Sequence, residues 1–97
     1  MFELQFSQKA QDQLKELKNN NSLAKRFKAV SKALKLLREN PKYPSLNTHI
    51  FHSEVGPDGQ KVFEAYAENH TSGAYRIFFY YGSDGKTIYI LSVIPHP

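Results

Sequence analysis

The sequence has no cysteine, and no run of apolar residues is long enough to cross a membrane. A chain without cysteine has no disulfide framework, no thiol nucleophile and no thiolate ligand for a metal ion. Disulfides belong mainly to oxidising compartments, so the expected compartment is the cytoplasm. A spanning helix needs roughly 18 apolar residues, and the first ten residues lack the basic region and apolar stretch of a secretory signal. We therefore expect no membrane partner.

The composition is that of an ordinary globular protein. Hydrophobic residues make up 40% and charged residues 23% of the 97 residues, which supports one core and a single domain spanning 1–97. The net charge of +4 is unevenly distributed, because residues 1–40 contain nine Lys/Arg and four Asp/Glu, whereas residues 41–97 contain four and five. The basic half indicates an anionic or acidic partner, or a solvated helix face that keeps the protein soluble.

The first 40 residues have the pattern of a strand followed by two helices. Phe2–Phe6 alternates between apolar and polar residues, as a strand with one buried face does. Ser7 and Ser22 are expected to cap the two helices, because a serine hydroxyl accepts a free backbone N–H of the first turn. Asn40-Pro41 ends the second helix, since the residue before a proline avoids the helical region. The apolar stripe of the second helix consists of Leu23, Phe27, Val30, Leu34 and Leu37.

After residue 44 the apolar residues alternate with a period of two, which predicts strands. The predicted strands are Leu46–Phe51, Val62–Glu68, Ala74–Tyr81 and Thr87–Ile94. Short loops between the last three predict an antiparallel meander. The sequence therefore predicts an α+β fold in which an N-terminal strand and a helical hairpin precede the meander, and the helices pack on one face of the sheet.

Two five-residue loops set the expected register of the last three strands. They place Glu68 opposite Ala74, and Tyr81 opposite Thr87. Because side chains alternate along a strand, the residues of each face follow from this register. The face that receives the helices is expected to contain Phe63, Ala65, Ala67, Tyr75, Ile77, Phe79, Tyr89, Leu91 and Val93.

The opposite face, which we call the open face, combines polar residues at one end with apolar residues at the other. It is expected to contain Val62, Glu64, Tyr66, Glu68, Arg76, Phe78, Tyr80, Ile88, Ile90, Ser92, Ile94 and His96. In this register Tyr66 lies opposite Arg76, and Arg76 lies opposite Ser92. An uncovered face this apolar predicts a concave groove, a partner-binding surface or both.

Two segments give the chain a resemblance to a known family. Residues 73–97, GAYRIFFYYGSDGKTIYILSVIPHP, contain an aromatic–Arg–Ile strand, a turn, an apolar strand and an imidazole just after it, and FEAYAENHTSGAYR begins at Phe63. Both segments resemble the RelE/ParE superfamily of toxins from bacterial type II toxin–antitoxin systems, and the likeness extends over nearly the whole chain. The resemblance implies the same α+β fold, a location in the bacterial cytoplasm and a cognate antitoxin as partner.

Members of the RelE branch are similar to small ribonucleases that enter the ribosomal A site and cut messenger RNA. The resemblance implies that Arg76 contacts the scissile phosphate and that His96, just after the last strand, assists the leaving group. Glu64 and Tyr66 stand where RelE itself often has lysines, whereas YoeB-like toxins use a Glu, an Arg and a His near the C-terminus. The ribosome and messenger RNA are then the implied partners.

These four residues supply the groups that RNA cleavage through the 2′-hydroxyl needs. Such cleavage requires a base for that hydroxyl, a positive charge at the phosphate and an acid for the leaving oxygen. We expect Glu64 as the base, Arg76 as the phosphate clamp and His96 as the acid, with Tyr66 available to stack on an unpaired base. The open alternative is a structural ion pair between Arg76 and a neighbouring glutamate.

Two other functions are open at the level of sequence. A ParE-like inhibitor of DNA gyrase needs no catalytic residues, and the lysine-poor strand around Glu64 favours it. An inactive, toxin-like protein would only bind its antitoxin. His49, His52 and His70 are not expected to bind a metal, because no cysteine or clustered carboxylate completes a site. No cofactor is expected.

Overall fold

The computed structural model, which describes residues 1–96, contains five strands and two α-helices. In chain order these are β1 (Glu3–Phe6), α1 (Gln8–Asn19), α2 (Ala24–Glu39), β2 (His49–Val55), β3 (Lys61–Tyr66), β4 (Tyr75–Tyr81) and β5 (Thr87–Pro95). The strands form one sheet in the order β1-β5-β4-β3-β2, and the buried sides of both helices meet the same face of it. The predicted α+β fold is confirmed.

The connections explain the order of the strands. β2, β3, β4 and β5 follow one another through short loops and pair antiparallel, which confirms the predicted meander. The α1–α2 hairpin carries the chain from β1, at one edge of the sheet, to β2 at the other. β1 pairs with β5 in parallel. The long stretch of chain between them makes this possible, because parallel neighbours cannot be joined by a short loop.

One of the two predicted helix caps is confirmed. The Ser7 hydroxyl accepts the N–H of Ala10 at the start of α1, at 3.0 Å. Ser22 does not cap α2, whose N-cap position is Leu23 without a side-chain hydrogen bond. Instead the Asn20 side chain accepts the N–H of Ser22 at 3.1 Å and caps a 3₁₀ turn over Asn21–Leu23. α2 starts only after that turn and ends at Glu39, before Asn40-Pro41, as predicted.

The core lies between the two helices and the sheet. Its buried members are Ala10, Leu17, Val30, Ala33, Leu37, Leu46, Ala65, Ile77, Phe79, Ile88, Ile90 and Val93. Val30 and Leu37 belong to the predicted stripe of α2, and both are fully buried. Within residues 1–96, neither helix is long and apolar enough to span a membrane.

β2 begins later than the sequence predicts. The predicted strand Leu46–Phe51 is wrong in its first half, because Pro44–Leu46 forms a 3₁₀ turn that buries the Leu46 side chain in the core. Asn47 then adopts a left-handed backbone conformation, with φ of 46°, and redirects the chain into β2. As a result β2 starts at His49, which pairs with Glu64 on β3.

The register of the β3–β4 hairpin is as predicted, but that of β4–β5 is not. Tyr66 lies opposite Arg76, whereas Arg76 lies opposite Ile94 and not opposite Ser92. Next to the turn, Tyr81 lies opposite Ile88 and not opposite Thr87, so the register is shifted by one residue from the predicted one. This shift corrects three predicted faces: Tyr89 lies on the open face with Tyr80, whereas Ile88 and Ile90 lie in the core. A β-bulge around Leu91 adds a second residue to β5 and returns Ser92 and Ile94 to the open face.

Polar side chains of the first helix satisfy the edge of β5 beyond the end of β1. β1 pairs with β5 only as far as Ile90, so the following backbone groups of β5 lack a neighbouring strand. The Ser7 hydroxyl donates to the carbonyl of Leu91 at 2.8 Å, and the Gln13 side chain accepts the N–H of Val93 at 2.7 Å. These hydrogen bonds satisfy backbone groups of β5 at the bulge and just after it.

Candidate functional site

Arg76 occupies the polar end of the open face. It is 8% exposed, and its guanidinium carbon lies 3.7 Å from the centre of the Tyr66 ring on the neighbouring strand. The stacking follows from the β3–β4 register, which puts these two residues directly opposite each other. A guanidinium stacked on an aromatic face keeps its plane fixed and its charge intact.

The backbone holds one end of this guanidinium. Arg76 Nη1 donates to the carbonyl of Glu68 at 3.1 Å and more weakly to that of Tyr75 at 3.4 Å. Arg76 Nε lies 3.6 Å from Glu64 Oε2, which is an ion-pair distance, but it has no hydrogen-bond partner within residues 1–96. In this part of the chain the Nε–H is therefore a buried donor that lies near a carboxylate but makes no hydrogen bond, and such groups are rare in folded proteins.

Glu64 connects Arg76 to a histidine. Its Oε1 lies 2.8 Å from His49 Nε2, and its Oε2 is the oxygen nearest Arg76. The Glu64 side chain is only 10% exposed, whereas that of His49 is 46% exposed. His49 Nδ1 lies 2.7 Å from the carbonyl of Asn47, and the His49 ring meets that of Tyr66 edge to face. His49, Glu64, Tyr66 and Arg76, which we call the polar cluster, form one contact network.

A second glutamate fixes the loop beside the polar cluster to helix α2. Glu68 Oε2 accepts a hydrogen bond from Arg26 at 2.7 Å, and Arg26 also donates to the carbonyl of Ser72 at 2.9 Å. Glu68 Oε1 lies 3.3 Å from the N–H of Tyr75. The Glu68 carbonyl is also the acceptor for Arg76 Nη1, so these contacts help to fix the position of the guanidinium.

His96 lies apart from the polar cluster. It follows β5, is exposed, and its N–H donates to the carbonyl of Ala74 at 2.7 Å. This bond continues the ladder by one residue and keeps His96 two positions beyond Ile94, the neighbour of Arg76. Within residues 1–96, the His96 ring makes no hydrogen bond to the cluster. The structure thus brings Glu64, Tyr66 and Arg76 together and leaves His96 at the rim of the same face.

His49 was not predicted as a member of the site. In the sequence it was weighed only as a metal ligand, and within residues 1–96 no three His, Asp or Glu side chains are grouped so that they could hold a metal ion. The sequence feature that could have revealed it is Asn47. Asparagine tolerates the left-handed conformation, so it can change the direction of the chain just before a strand begins. A strand starting after it would have placed His49 near Glu64.

The other end of the open face is apolar and aromatic. Phe51 of β2 meets Phe78 edge to face, with 4.8 Å between ring centres, and Val62 is fully buried. Tyr80 and Tyr89 stack at 5.0 Å between ring centres. Burial, and to a smaller extent Tyr89 and Asp58, raise the pKa of Tyr80, so its hydroxyl is neutral at physiological pH. We call this group the aromatic end.

Comparison with known proteins supports the fold at high coverage and low sequence identity. No protein-family model matches the chain, and no curated protein matches it. The structure is similar to a YoeB/ParE toxin from Agrobacterium tumefaciens, with a TM-score of 0.71, 9% identity and complete coverage of both chains.

Two solved toxin–antitoxin complexes contain similar chains. The archaeal RelE–RelB complex from Pyrococcus horikoshii gives a TM-score of 0.65 at 13% identity, with 97% of this chain and 93% of that chain covered. The intact E. coli RelBE complex gives 0.60 at 16% identity, with 100% and 99% covered. The expected resemblance to the RelE/ParE superfamily is confirmed at the level of the fold: the chain has the fold of these toxins.

Proposed function

We propose that this protein is the toxin of a toxin–antitoxin pair and that it cleaves messenger RNA on the ribosome. The observation that supports this most strongly is the state of Arg76. It is buried, held by backbone carbonyls and stacked on Tyr66, and its guanidinium plane is thereby fixed beside Glu64. A phosphate oxygen is the acceptor that such a pre-oriented guanidinium fits best.

The proposed reaction is a transfer of the phosphoryl group to the neighbouring 2′-oxygen. Glu64 takes the proton of the 2′-hydroxyl, the 2′-oxygen bonds to phosphorus, and the bond from phosphorus to the 5′-oxygen breaks. Arg76 neutralises the charge that develops on the phosphate oxygens. His96, at the rim, gives a proton to the departing 5′-oxygen. The products are a 2′,3′-cyclic phosphate and a free 5′-hydroxyl.

The polar cluster and the helices suit an RNA substrate in a second way. Tyr66 is partly exposed beside Arg76 and offers an aromatic edge for an unpaired base. The exposed side of α2 contains Lys25, Lys28, Lys32, Lys35 and Arg38. A helix face of this kind binds a phosphate backbone without sequence preference and with a strong dependence on salt. We assign it to the ribosomal RNA.

The proposed partner in the resting state is a cognate antitoxin. The aromatic end of the open face presents Phe51, Tyr80 and Tyr89, and aromatic side chains are enriched at protein interfaces. Similar chains occur in complexes with RelB in the archaeal and E. coli structures. An antitoxin segment that covers the open face would block the approach of RNA to Arg76.

The direct test is primer extension on a messenger bound to programmed ribosomes, with a reaction lacking ribosomes beside it. We expect ribosome-dependent cleavage by the protein and its loss in Arg76→Ala. Lys9→Ala is the control, because it removes an exposed cation of α1 that lies outside both the open face and the basic side of α2. Equal cleavage by the protein and by Arg76→Ala would contradict the assignment of the site.

Inhibition of DNA gyrase is the second candidate function, and one observation favours it. Arg76 already has a carboxylate at 3.6 Å, so its charge is partly balanced without any phosphate. Folded protein, free of antitoxin, that fails to cut messenger but inhibits supercoiling by gyrase would support this function instead. Inactivity in both assays would leave antitoxin binding as the protein's role.

A further inference from the structure

The contacts of His49 require one more proton than a neutral histidine and a carboxylate contain. A carbonyl oxygen only accepts hydrogen bonds, so Nδ1 must carry the hydrogen that points at Asn47, 2.7 Å away. The 2.8 Å contact between Nε2 and Glu64 Oε1 needs a second hydrogen between the two atoms. With both nitrogens engaged as donors the ring is an imidazolium, and Glu64 stays a carboxylate, as its proposed role as base requires.

This proton decides the charge of the polar cluster. Without it, the Glu64 carboxylate cancels the charge of Arg76 and His49 is neutral, so the three groups sum to zero. With it, the same three groups sum to one positive charge. Glu64 competes with a phosphate for Arg76, since Oε2 lies 3.6 Å from Nε, and a second cation on Oε1 weakens that competition.

We propose that His49 is the proton-bearing positioning residue of this site, and that its protonation makes the polar cluster bind a phosphate of RNA. The inference rests on the proposed function and adds a residue and a pH dependence to it. His49 acts through Glu64, which it holds from the side opposite Arg76, and does not itself touch the phosphate. A neutral ring has one N–H and can donate only one of these two hydrogen bonds, so loss of the proton weakens the hold of His49 on Glu64 or on the Asn47 carbonyl.

The groups that face His49 are few. Glu64 approaches from β3 and the Asn47 carbonyl from the segment before β2. The Tyr66 ring lies edge to face with it, at 5.7 Å between ring centres. Arg76 of β4 lies on the far side of Glu64, with Nε 3.6 Å from Oε2. His52, three residues further along β2, is exposed and provides a matched control.

The first test observes the proton without any RNA. Nitrogen NMR of the four histidine rings distinguishes protonated from bare ring nitrogens. At pH 6 we expect both nitrogens of His49 to be protonated, and in Glu64→Gln we expect the Nε2 signal to change while that of His52 does not. A His49 ring with one bare nitrogen at pH 6 would overturn the inference.

The second test measures the binding of a single-stranded RNA in which every 2′-position is O-methylated, so that cleavage cannot occur. Its ends are hydroxyls, because a terminal phosphate would titrate in the same range. At constant salt, we expect the affinity to fall about tenfold between pH 6 and pH 8. His52→Gln should retain this fall, whereas His49→Gln should bind weakly at both pH values.

Glu64→Gln gives the sharpest prediction. The proposal expects this variant to bind RNA more tightly at pH 8, whereas a purely structural role of Glu64 would make binding weaker. Removing the carboxylate leaves Arg76 uncompensated, so this variant should bind the methylated RNA at pH 8 as tightly as the unmodified protein does at pH 6. It should also cleave messenger poorly, since the proposed base is gone. Weaker binding by Glu64→Gln at pH 8 would refute the role of His49.

Failure of this inference and failure of the proposed function give different results. If His49→Gln keeps the full pH dependence of binding while the ribosome assay still shows cleavage, the nuclease stands and His49 has no such role. If RNA binding follows the predicted pH dependence but no messenger is cut, the site binds phosphate and the nuclease proposal fails.

Discussion

At the scale of single residues, the proposed chemistry depends most on Arg76. Its guanidinium makes three different contacts: Nη1 donates to a backbone carbonyl, the plane stacks on the ring of Tyr66, and Nε lies 3.6 Å from Glu64. A lysine ammonium cannot reproduce this, because it is a point charge without a planar fork. The proposed role of Arg76 therefore requires both its charge and its shape.

Replacing Arg76 with lysine separates these two requirements. Arg76→Lys keeps a positive charge beside Glu64, so we expect it to stay folded with a urea midpoint close to that of the unmodified protein. Cleavage on the ribosome should fall by about 10²-fold, which is typical for the loss of one oriented donor to a developing oxyanion. Single-turnover cleavage rates measure this, and a rate within threefold of normal would show that charge alone is sufficient.

The sequence predicted part of the polar cluster, for a physical reason. Asn69–Gly73 is short enough to fix the β3–β4 register, so strand parity alone put Tyr66 opposite Arg76. His49 was missed because its place depends on Asn47, whose left-handed conformation delays the start of β2. A backbone reversal of that kind is set by local sterics and by the burial of Leu46, which a period-two pattern does not contain.

The hairpin between β4 and β5 is the decisive element at the next scale, because it holds Arg76 and leads to His96. Its turn is closed by Asp84, whose Oδ1 accepts the N–H groups of Lys86 and Thr87, at 2.9 and 3.0 Å. Oδ2 accepts the hydroxyl of Thr87 at 2.8 Å. The bond from Lys86, and then that from the Thr87 hydroxyl, hold the pKa of Asp84 below its usual value.

A lowered pKa makes the contribution of Asp84 to stability depend on pH with a definite sign. The ionised form is favoured in the folded state, so its stabilising effect is complete above the unfolded pKa of about 4 and is lost as the pH falls through the folded value. Thermal unfolding should show Asp84→Ala melting below the unmodified protein at pH 6, with a smaller gap at pH 3.

Asp58, in the turn between β2 and β3, is the control for that prediction. Within residues 1–96 its carboxylate accepts no hydrogen bond, although its backbone N–H donates to the Gln60 side chain. Asp58→Ala should therefore shift the melting temperature little, and by the same amount at both pH values. A gap for Asp84→Ala that stays constant between pH 6 and pH 3 would contradict the account of the turn.

The β4–β5 register shows where prediction from the sequence ends at the scale of elements. The run from Thr87 to Ile94 is apolar on both faces for most of its length, so a one-residue shift exchanges one apolar side chain for another. Nothing in that pattern marks the bulge at Leu91. The bulge is stabilised by Ser7 and Gln13, which lie some 80 residues earlier in the chain.

The fold of the whole molecule was predictable because several patterns agree. A helical period in the first 40 residues and a period of two afterwards give two layers, and both helices do cover one face of the sheet. The parallel pairing of β1 with β5 was not predicted. A four-residue strand contains too little pattern to select a partner, and its place follows from the crossover of the helical hairpin.

One core between helices and sheet means that the domain should unfold as a unit. Leu37 of α2 is fully buried and belongs to that core. Leu37→Ala should lower the free energy of unfolding by about 2–5 kcal/mol, the range for a leucine truncated in a close-packed core. Leu36→Ala, a neighbour on the partly exposed side of α2, should cost less. Urea unfolding followed by circular dichroism measures both, and equal costs would contradict this assignment of the core.

The most direct test of the central claim uses one messenger in two forms on programmed ribosomes. The first is entirely ribose, and the second has a single 2′-deoxynucleotide on the 5′ side of the cleaved bond. Primer extension should show cleavage of the first form and an intact bond in the second, because the 2′-oxygen is the proposed nucleophile. No cleavage of the first form by folded protein free of antitoxin, or equal cleavage of both forms, would contradict the proposed reaction.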